Sequence, residues 1–390
     1  MKSLSCDVLV VGAGPAGSSA ALSSAKENLD VIIVDKKELP SKIACAETIS
    51  EGFFQYLPFK IPSKLLGNRL KGIKFYYKEF YIKRDKGIWW KSFTINRREF
   101  DPFVLKLAID EGATFLASTE FVNLRCSSNY IVDKVLLRDN EGNKIFVYPK
   151  ILIAADGVQS SVLDAIGISK TKAYSIGYIK SHEVHDLDLP NTDDKYGHVY
   201  FGEFADGAYG YIFPKSRNVA NIGVASLTDK ELDKRYKKFL RIISRKIGRG
   251  TNKIDRSGVA PITGFSDDIA YGNTLLVGDA ANQNFKPFVE GILPGVICGS
   301  IAGQVAVQCL NDVKNIRRFY KKSIREKIGK FFRESDALND ILIHVYDKKY
   351  KSRFLIELAA FSYTLGYREL RKLLKLDENN IEKFLKEKLT

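Results

Sequence analysis

The sequence predicts an α/β domain joined to a mainly antiparallel sheet and closed by C-terminal helices, and three stretches predict it. Near the N-terminus the apolar run "CDVLVV" (6–11) leads into "GAGPAG", a helical run and a second apolar strand that ends on Asp35. Within 166–262, "HVYFGEFADGAYGYIFPKS" and "NVANIGVAS" alternate aromatic and apolar residues with small or polar ones, the period of strands with one buried face. From about residue 326 onward the pattern turns helical and amphipathic, with aromatics set near lysines.

The first stretch has the order strand, tight turn, helix, strand, acid. Gly12 permits the sharp turn, Gly14 lets backbone approach a pyrophosphate, and Gly17 lets the helix lie close to the sheet. Pro15 and Ala16 lie between them in the same cradle, and the helix N-terminus adds unpaired amides and a positive dipole end. Asp35, about 20 residues beyond the first glycine, is placed to accept the two ribose hydroxyls of an adenosine. Dinucleotide binding follows, and NAD and FAD share this cradle, so further segments must choose between them.

At 390 residues the chain exceeds the usual size of a single core. The pattern sets a sheet domain over 166–262 and a helical region over 326–390 apart from a first domain over 1–165. A hydrophobic content of 45% with 11 prolines and no low-complexity tract belongs to a folded protein. Cys6, Cys45, Cys126, Cys298 and Cys309 form no CxxC pair, and His182, His185, His198 and His344 assemble no metal set, so no metal is expected. The N-terminus has no signal-peptide architecture, and a reducing, cytoplasmic setting is expected. The formal charge of +15 is densest in "DKRYKKFLRIISRKIGRG" (233–250) and suits a solvated basic face or peripheral contact with an anionic membrane. No recognised nucleic-acid module accompanies it, so no nucleic-acid partner is expected. The uncharged run "ILPGVICGSIAGQVAVQCL" (292–310) reads as a buried helix packed closely on a sheet or cofactor rather than a membrane span.

Five segments in order, "DVLVVGAGPAG", "CAETIS", "RREFD", "ADGVQS" and "GDAANQNFKPFVEGI", with "YGYIFPK" between the last two, carry a family likeness over roughly residues 6–310. They resemble the FAD-dependent geranylgeranyl reductase family, archaeal digeranylgeranylglycerophospholipid reductases in particular, within the para-hydroxybenzoate hydroxylase-like flavoproteins. The resemblance implies a Rossmann-like FAD-binding domain of the para-hydroxybenzoate hydroxylase type, with a substrate-binding antiparallel sheet domain. It also implies a substrate-side insertion near 60–95 and a segment over 263–325 that closes the first domain. It implies that Asp279 meets the ribityl side of FAD, and that Gly291 and Ile292 present backbone amides near the isoalloxazine. It places Cys45 and Ala46 against the flavin, with Thr48 supplying a hydrogen bond, and Arg97 on the FAD phosphates with Arg98 an adjacent rival. It puts Val122 where a backbone group reads adenine, and Asp156 and Gly157 beside the cofactor loop. Tyr209, Tyr211 and Phe213 alternate and would line a hydrocarbon cavity, to which Trp89 and Trp90 could add wall.

Three departures stand out: Val289 and Glu290 where smaller residues are common, Ala46 for a commoner glycine, and Tyr211 for tryptophan. The implied activity is reduction of isoprenoid double bonds in geranylgeranyl ether lipids, fed by an external electron donor such as ferredoxin or NAD(P)H. An isolated alkene is poorly electrophilic, so a proton donor is required, and Cys45, Glu290 and water are the candidates. Basic surface charge could hold the lipid phosphate while its chains enter the cavity. The alternative is an FAD-dependent monooxygenase acting on an aromatic or hydrophobic substrate, because one fold carries either chemistry.

Overall fold

A computed structural model of the chain describes residues 2–40, 44–77, 80–168, 176–187, 189, 194–248, 250 and 253–347. The helical expectation for 326–390 therefore falls outside the described residues beyond 347.

An eight-stranded sheet forms the first layer. Its long strand Lys2–Val11 lies parallel to Lys144–Ala154 on one side and to Val31–Val34 on the other, and Val31–Val34 continues into the parallel Thr114–Leu116. Val8, Leu9, Val10 and the whole of Val31–Val34 are buried, as expected of parallel strands covered on both faces. The strand Thr274–Leu276, from late in the chain, adds to the same sheet parallel to Lys144–Ala154, so the last third returns to complete the first domain.

Two helices seal that return. Pro15–Ala25 follows the glycine turn, and Ile292–Cys309 packs on it almost backbone to backbone. Ser19 Oγ donates to Val296 O at 2.7 Å, and Ser23 Oγ pairs with Ser300 Oγ at 2.9 Å. Among the described residues Ile292–Cys309 is the one helix long and apolar enough to cross a membrane, yet 83% of it is buried inside the fold. It is a core helix here.

A seven-stranded sheet forms the second layer, in the order Lys253–Pro261, Ile176–Val184, Ala220–Ser226, Gly210–Pro214, Tyr196–Phe201, Gly72–Tyr77, Phe80–Arg84. Its pairings are antiparallel except that Tyr196–Phe201 runs parallel to Gly72–Tyr77, strands which the early 60–95 stretch supplies. Because side chains alternate across a strand, Ile222 and Val224 face one way, while Asn221, Gly223 and Ala225 face the other. The helix Leu232–Ile247 covers the first face, packing Tyr236, Phe239, Ile243 and Ile247 on Tyr200, Ile212, Ile222 and Val224. The second face carries Tyr211, Phe213 and Val199 in a cluster with Leu70, Phe75 and Trp90. A small sheet of Thr48–Ser50, Ser92–Thr94 and Arg69–Leu70 joins the layers, and helices Ile316–Lys327 and Gly329–Asp347 close the C-terminal side of the described chain.

Candidate functional site

The second face of the seven-stranded sheet stands over the glycine turn and encloses a cavity of about 690 Å³. That size is typical of small-molecule sites. Gly14, Pro15 and Ala16 line it from the cradle, Cys45, Ala46 and Thr48 from the following loop, and Asp279, Glu290, Gly291 and Ile292 from the returning segment. Tyr209, Tyr211 and Phe213 line it from the sheet, together with Trp89 and Trp90. Arg97 also reaches the wall, whereas Arg98 is exposed beside its helix cap Asn96.

Gly12, Gly17 and Asp35 stand behind the wall and shape it. Gly12 has φ +106°, a backbone region that L side chains rarely adopt, and a Cβ on Gly17 would sit 1.9 Å from the Gly12 carbonyl oxygen. Asp35 ties the turn down: Ala13 N donates to its Oδ2 at 2.8 Å and Lys37 N to its Oδ1 at 2.9 Å. Over Gly14 the space is open, with nothing within 4 Å of where a Cβ would point. Beside Gly157, Asp156 Oδ2 accepts from Val162 N at 3.0 Å, while its buried Oδ1 has no hydrogen-bond partner among the described residues. A bare glycine turn at a helix N-terminus, open over Gly14 and tied from behind by an acid, fits a dinucleotide cofactor. Replacing Asp35 with alanine removes the Ala13 tether as well as a ribose acceptor. It should weaken FAD binding by about tenfold or more in a fluorescence titration, the effect of losing one or two charge-assisted hydrogen bonds.

The structure does not bring Val122 to this wall. It lies at a bulge of the strand Glu120–Cys126, 41% exposed, while its neighbour Phe121 turns into the core. A bulge adds one residue and reverses which side chain points inward.

Arg97 is held as a fork by Asp101, at 2.6 Å from Nε and 2.7 Å from Nη2. The Cys45 thiol lies against it, and Cys45 Sγ accepts from Glu47 N at 3.2 Å. Burial pushes this thiol above its ordinary value of 9.0, and Arg97 and the Glu47 amide only partly offset that, so it stays protonated at neutral pH.

The departures at 289–290 form a single device. Phe285 and Glu290 exchange backbone hydrogen bonds at 2.9 and 3.0 Å, Tyr209 OH donates to Phe288 O at 2.9 Å, and Val289 takes φ +54°. A left-handed β-branched residue stores about 1–3 kcal/mol of strain, so the turn itself explains why small residues suit this position. The Glu290 carboxylate accepts from Ser50 N at 3.0 Å and Ser50 Oγ at 2.6 Å. Burial pushes its carboxyl up, and the two Ser50 bonds restrain the rise.

Burial also raises the carboxyl of Asp279, which lies beside Gly291 at the start of the helix Ile292–Cys309, with Asn284 and Lys286 holding it back. Fully buried Lys286 donates to Asn282 O at 2.8 Å and Asn284 O at 3.1 Å, and burial pushes its ammonium down to about 8.

Sequence reasoning passed over Lys286, Glu47 and Lys215, although Glu47 lies inside "CAETIS" and Lys215 ends "YGYIFPK". Periodicity and motif position do not report which charges become buried. Among the described residues lining the cavity Arg97 is the one cation, against Glu203, Asp206, Asp279 and Glu290, and the basic helix Leu232–Ile247 covers the opposite face of the sheet. The geometry therefore does not support capture of a lipid phosphate by that helix at the cavity. Among the described residues no group of His, Cys, Asp and Glu forms a metal cluster.

Comparison with known proteins bears on this site. The FAD binding domain family matches residues 5–285. The chain is 28% identical to digeranylgeranylglycerophospholipid reductase 2 of Methanosphaera stadtmanae, covering 88% of this chain and 89% of that one. It is 29% identical to digeranylgeranylglycerophospholipid reductase of Methanocaldococcus jannaschii, covering 98% and 95%. In fold it is similar to a geranylgeranyl bacteriochlorophyll reductase-like protein of Thermoplasma acidophilum, with a TM-score of 0.82 at 23% identity over 96% of this chain and 99% of that one.

Proposed function

The chain belongs to the FAD binding domain family, and from that premise we propose that it is an FAD-dependent reductase saturating isoprenoid double bonds of geranylgeranyl ether lipids in archaeal-type lipid synthesis. The observation that carries this reading is a single cavity in which the glycine cradle, a protonated thiol and an apolar aromatic sheet face meet. Relatives similar along most of their length are named as reductases of such a lipid.

When bound and reduced, FAD supplies a hydride. Gly12, Gly14, Pro15, Ala16 and Gly17 with the Pro15–Ala25 N-terminus are the groups suited to its diphosphate, and Asp35 to its ribose. Gly291 and Ile292, at the start of a second helix with Asp279 beside them, lend amides and positive dipole to the same cavity. Tyr209, Tyr211 and Phe213 give a hydrocarbon chain an apolar wall that excludes water. Cys45 is the acid of choice, because its thiol is neutral when the alkene arrives. The thiolate left after donation meets the Arg97 guanidinium and the Glu47 amide. Glu290 is the second acid on the same cavity: burial pushes its carboxyl up, against the pull of its two Ser50 bonds toward the ionised form.

The proposal extends to a cytoplasmic enzyme, served by an external donor such as ferredoxin or NAD(P)H, that touches an anionic membrane from its periphery. Support for the membrane contact comes from the Leu232–Ile247 helix, whose outer side exposes Lys237, Lys238, Arg241 and Arg245 around Ile242, itself 50% exposed. Binding to anionic vesicles should be lost above roughly 0.5 M salt if that face carries it, as measured by sedimentation.

The deciding experiment mixes chemically reduced, FAD-loaded protein with a geranylgeranyl lipid without oxygen. Return of the oxidised flavin spectrum together with a saturated product is expected. A strict need for oxygen and a hydroxylated product would sink the reading in favour of a monooxygenase.

A further inference from the structure

Behind Cys45 lies a buried ionic knot that the cavity chemistry above does not use. Glu47 is 1% exposed, and its carboxylate meets Lys215 Nζ at 2.5 Å and Arg256 Nη1 at 3.1 Å. It also accepts from Asn221 Nδ2 at 2.9 Å and from Arg97 N at 3.2 Å. Glu183 grips the same two cations, at 2.8 Å from Lys215 and 3.2 Å from Arg256. Two carboxylates and two cations balance one another, which is how a buried set of charges survives desolvation, and His185 Nε2 meets Glu183 Oε1 at 2.9 Å at the edge of the knot.

The origin of the four charges gives the knot its meaning. Glu183 lies on Ile176–Val184, Arg256 on Lys253–Pro261, and Lys215 directly follows Gly210–Pro214, all parts of the substrate-side sheet. Glu47 alone comes from the loop that carries Cys45. That loop is pinned to the sheet at two more points: Asn221 Nδ2 donates to Ala46 O at 3.0 Å, and a Cβ on Gly258 would lie 3.0 Å from Ala44 Cβ. Glu47 itself sits at φ +56°, so its amide turns back onto Cys45 Sγ while its side chain enters the knot.

We infer that Glu47 is a positioning residue, whose carboxylate, bound to Lys215 and Arg256, holds the Cys45 turn against the substrate sheet and so sets where the thiol meets the cavity. The inference deepens the proposed reading, in which Cys45 is the proton donor. The charged and titratable groups facing the thiol are Arg97 with its partner Asp101, Glu47 from its own turn, and Tyr209 and Tyr211 from the sheet.

Glu47→Gln and Glu183→Gln delete the same single charge from the same knot, but only the first cuts the tie to the Cys45 turn. Alkylation of Cys45 by iodoacetamide, followed by peptide mass mapping across pH in the FAD-loaded protein, separates them. Glu47→Gln should speed Cys45 alkylation by about tenfold and move its pH midpoint downward, with kcat falling more than KM changes, while Glu183→Gln stays within about twofold. Equal responses of the two variants, or none in either, would overturn the inference. Should Glu47→Gln not fold, Asn221→Leu keeps all four charges and cuts the ties to Ala46 and Glu47. Faster Cys45 alkylation there supports the assignment, and wild-type reactivity overturns it. Alkylation reads the thiol directly, so wild-type protein inert toward the lipid would defeat the proposed reaction and leave this result standing.

Discussion

Cys45→Ala should lower lipid-dependent oxidation of the reduced protein by about 10²–10⁴-fold while FAD content stays unchanged, the loss expected when a positioned general acid is removed. The argument starts from the substrate: an isolated alkene accepts hydride only as a proton reaches its other carbon. The thiol is the neutral candidate on the wall, raised by burial, with Arg97 and the Glu47 amide poised for the anion that forms. The pH profile gives the same answer independently. An acid must be protonated to act, so rate is lost as pH rises through its pKa in the working enzyme. A thiol held above 9.0 keeps the rate level through the neutral range. A carboxyl, even raised by burial, would lose it earlier than the thiol, so an alkaline limb below that of the thiol, abolished by Glu290→Gln, would transfer the role to Glu290.

Gly299→Ala should be a strongly damaging single methyl at the helix pair of the cofactor layer. Its Cβ would sit 2.1 Å from the Ala16 carbonyl oxygen and 3.0 Å from its carbonyl carbon, and both are backbone atoms that no rotamer change can move aside. The helix Ile292–Cys309 would have to lift off Pro15–Ala25, carrying Gly291 and Ile292 away from the cavity and breaking the register of Ser19 with Val296. Overpacking of this kind costs about 1–3 kcal/mol. A thermal midpoint lower by several degrees is expected, together with weaker FAD retention, since the shifted atoms line the cofactor side. Gly295→Ala is the control: its Cβ meets Ala16 Cβ at 3.3 Å, a contact that small shifts relieve. Equal stability of the two variants would show that the helices do not approach as closely as described.

The cradle was legible because its causes are local. A tight turn, an amide-rich helix start and an acid at a fixed distance are all written within about 30 consecutive residues. The aromatic alternation of Tyr209, Tyr211 and Phe213 was legible for the same reason, since a strand's two faces follow from parity alone. Val122, placed by the resemblance for its backbone and not by parity, lies at a bulge away from the cavity wall. The insertion expected near 60–95 supplies Gly72–Tyr77 and Phe80–Arg84 to the sheet, but which strands they pair with was open, because partners are chosen by burial and register across the whole chain.

What the amino-acid order determined by itself was the kind of site, a dinucleotide cradle and an apolar sheet; that a late segment returns to the cradle was implied by the family resemblance. The tertiary structure decided which charges are buried, and with whom. Glu47, Lys215, Arg256 and Glu183 come from four separated stretches, and each looks like an ordinary surface residue in sequence. Charge pairing of this kind falls off with distance in space, not along the chain, and desolvation acts only once neighbours have closed over a group.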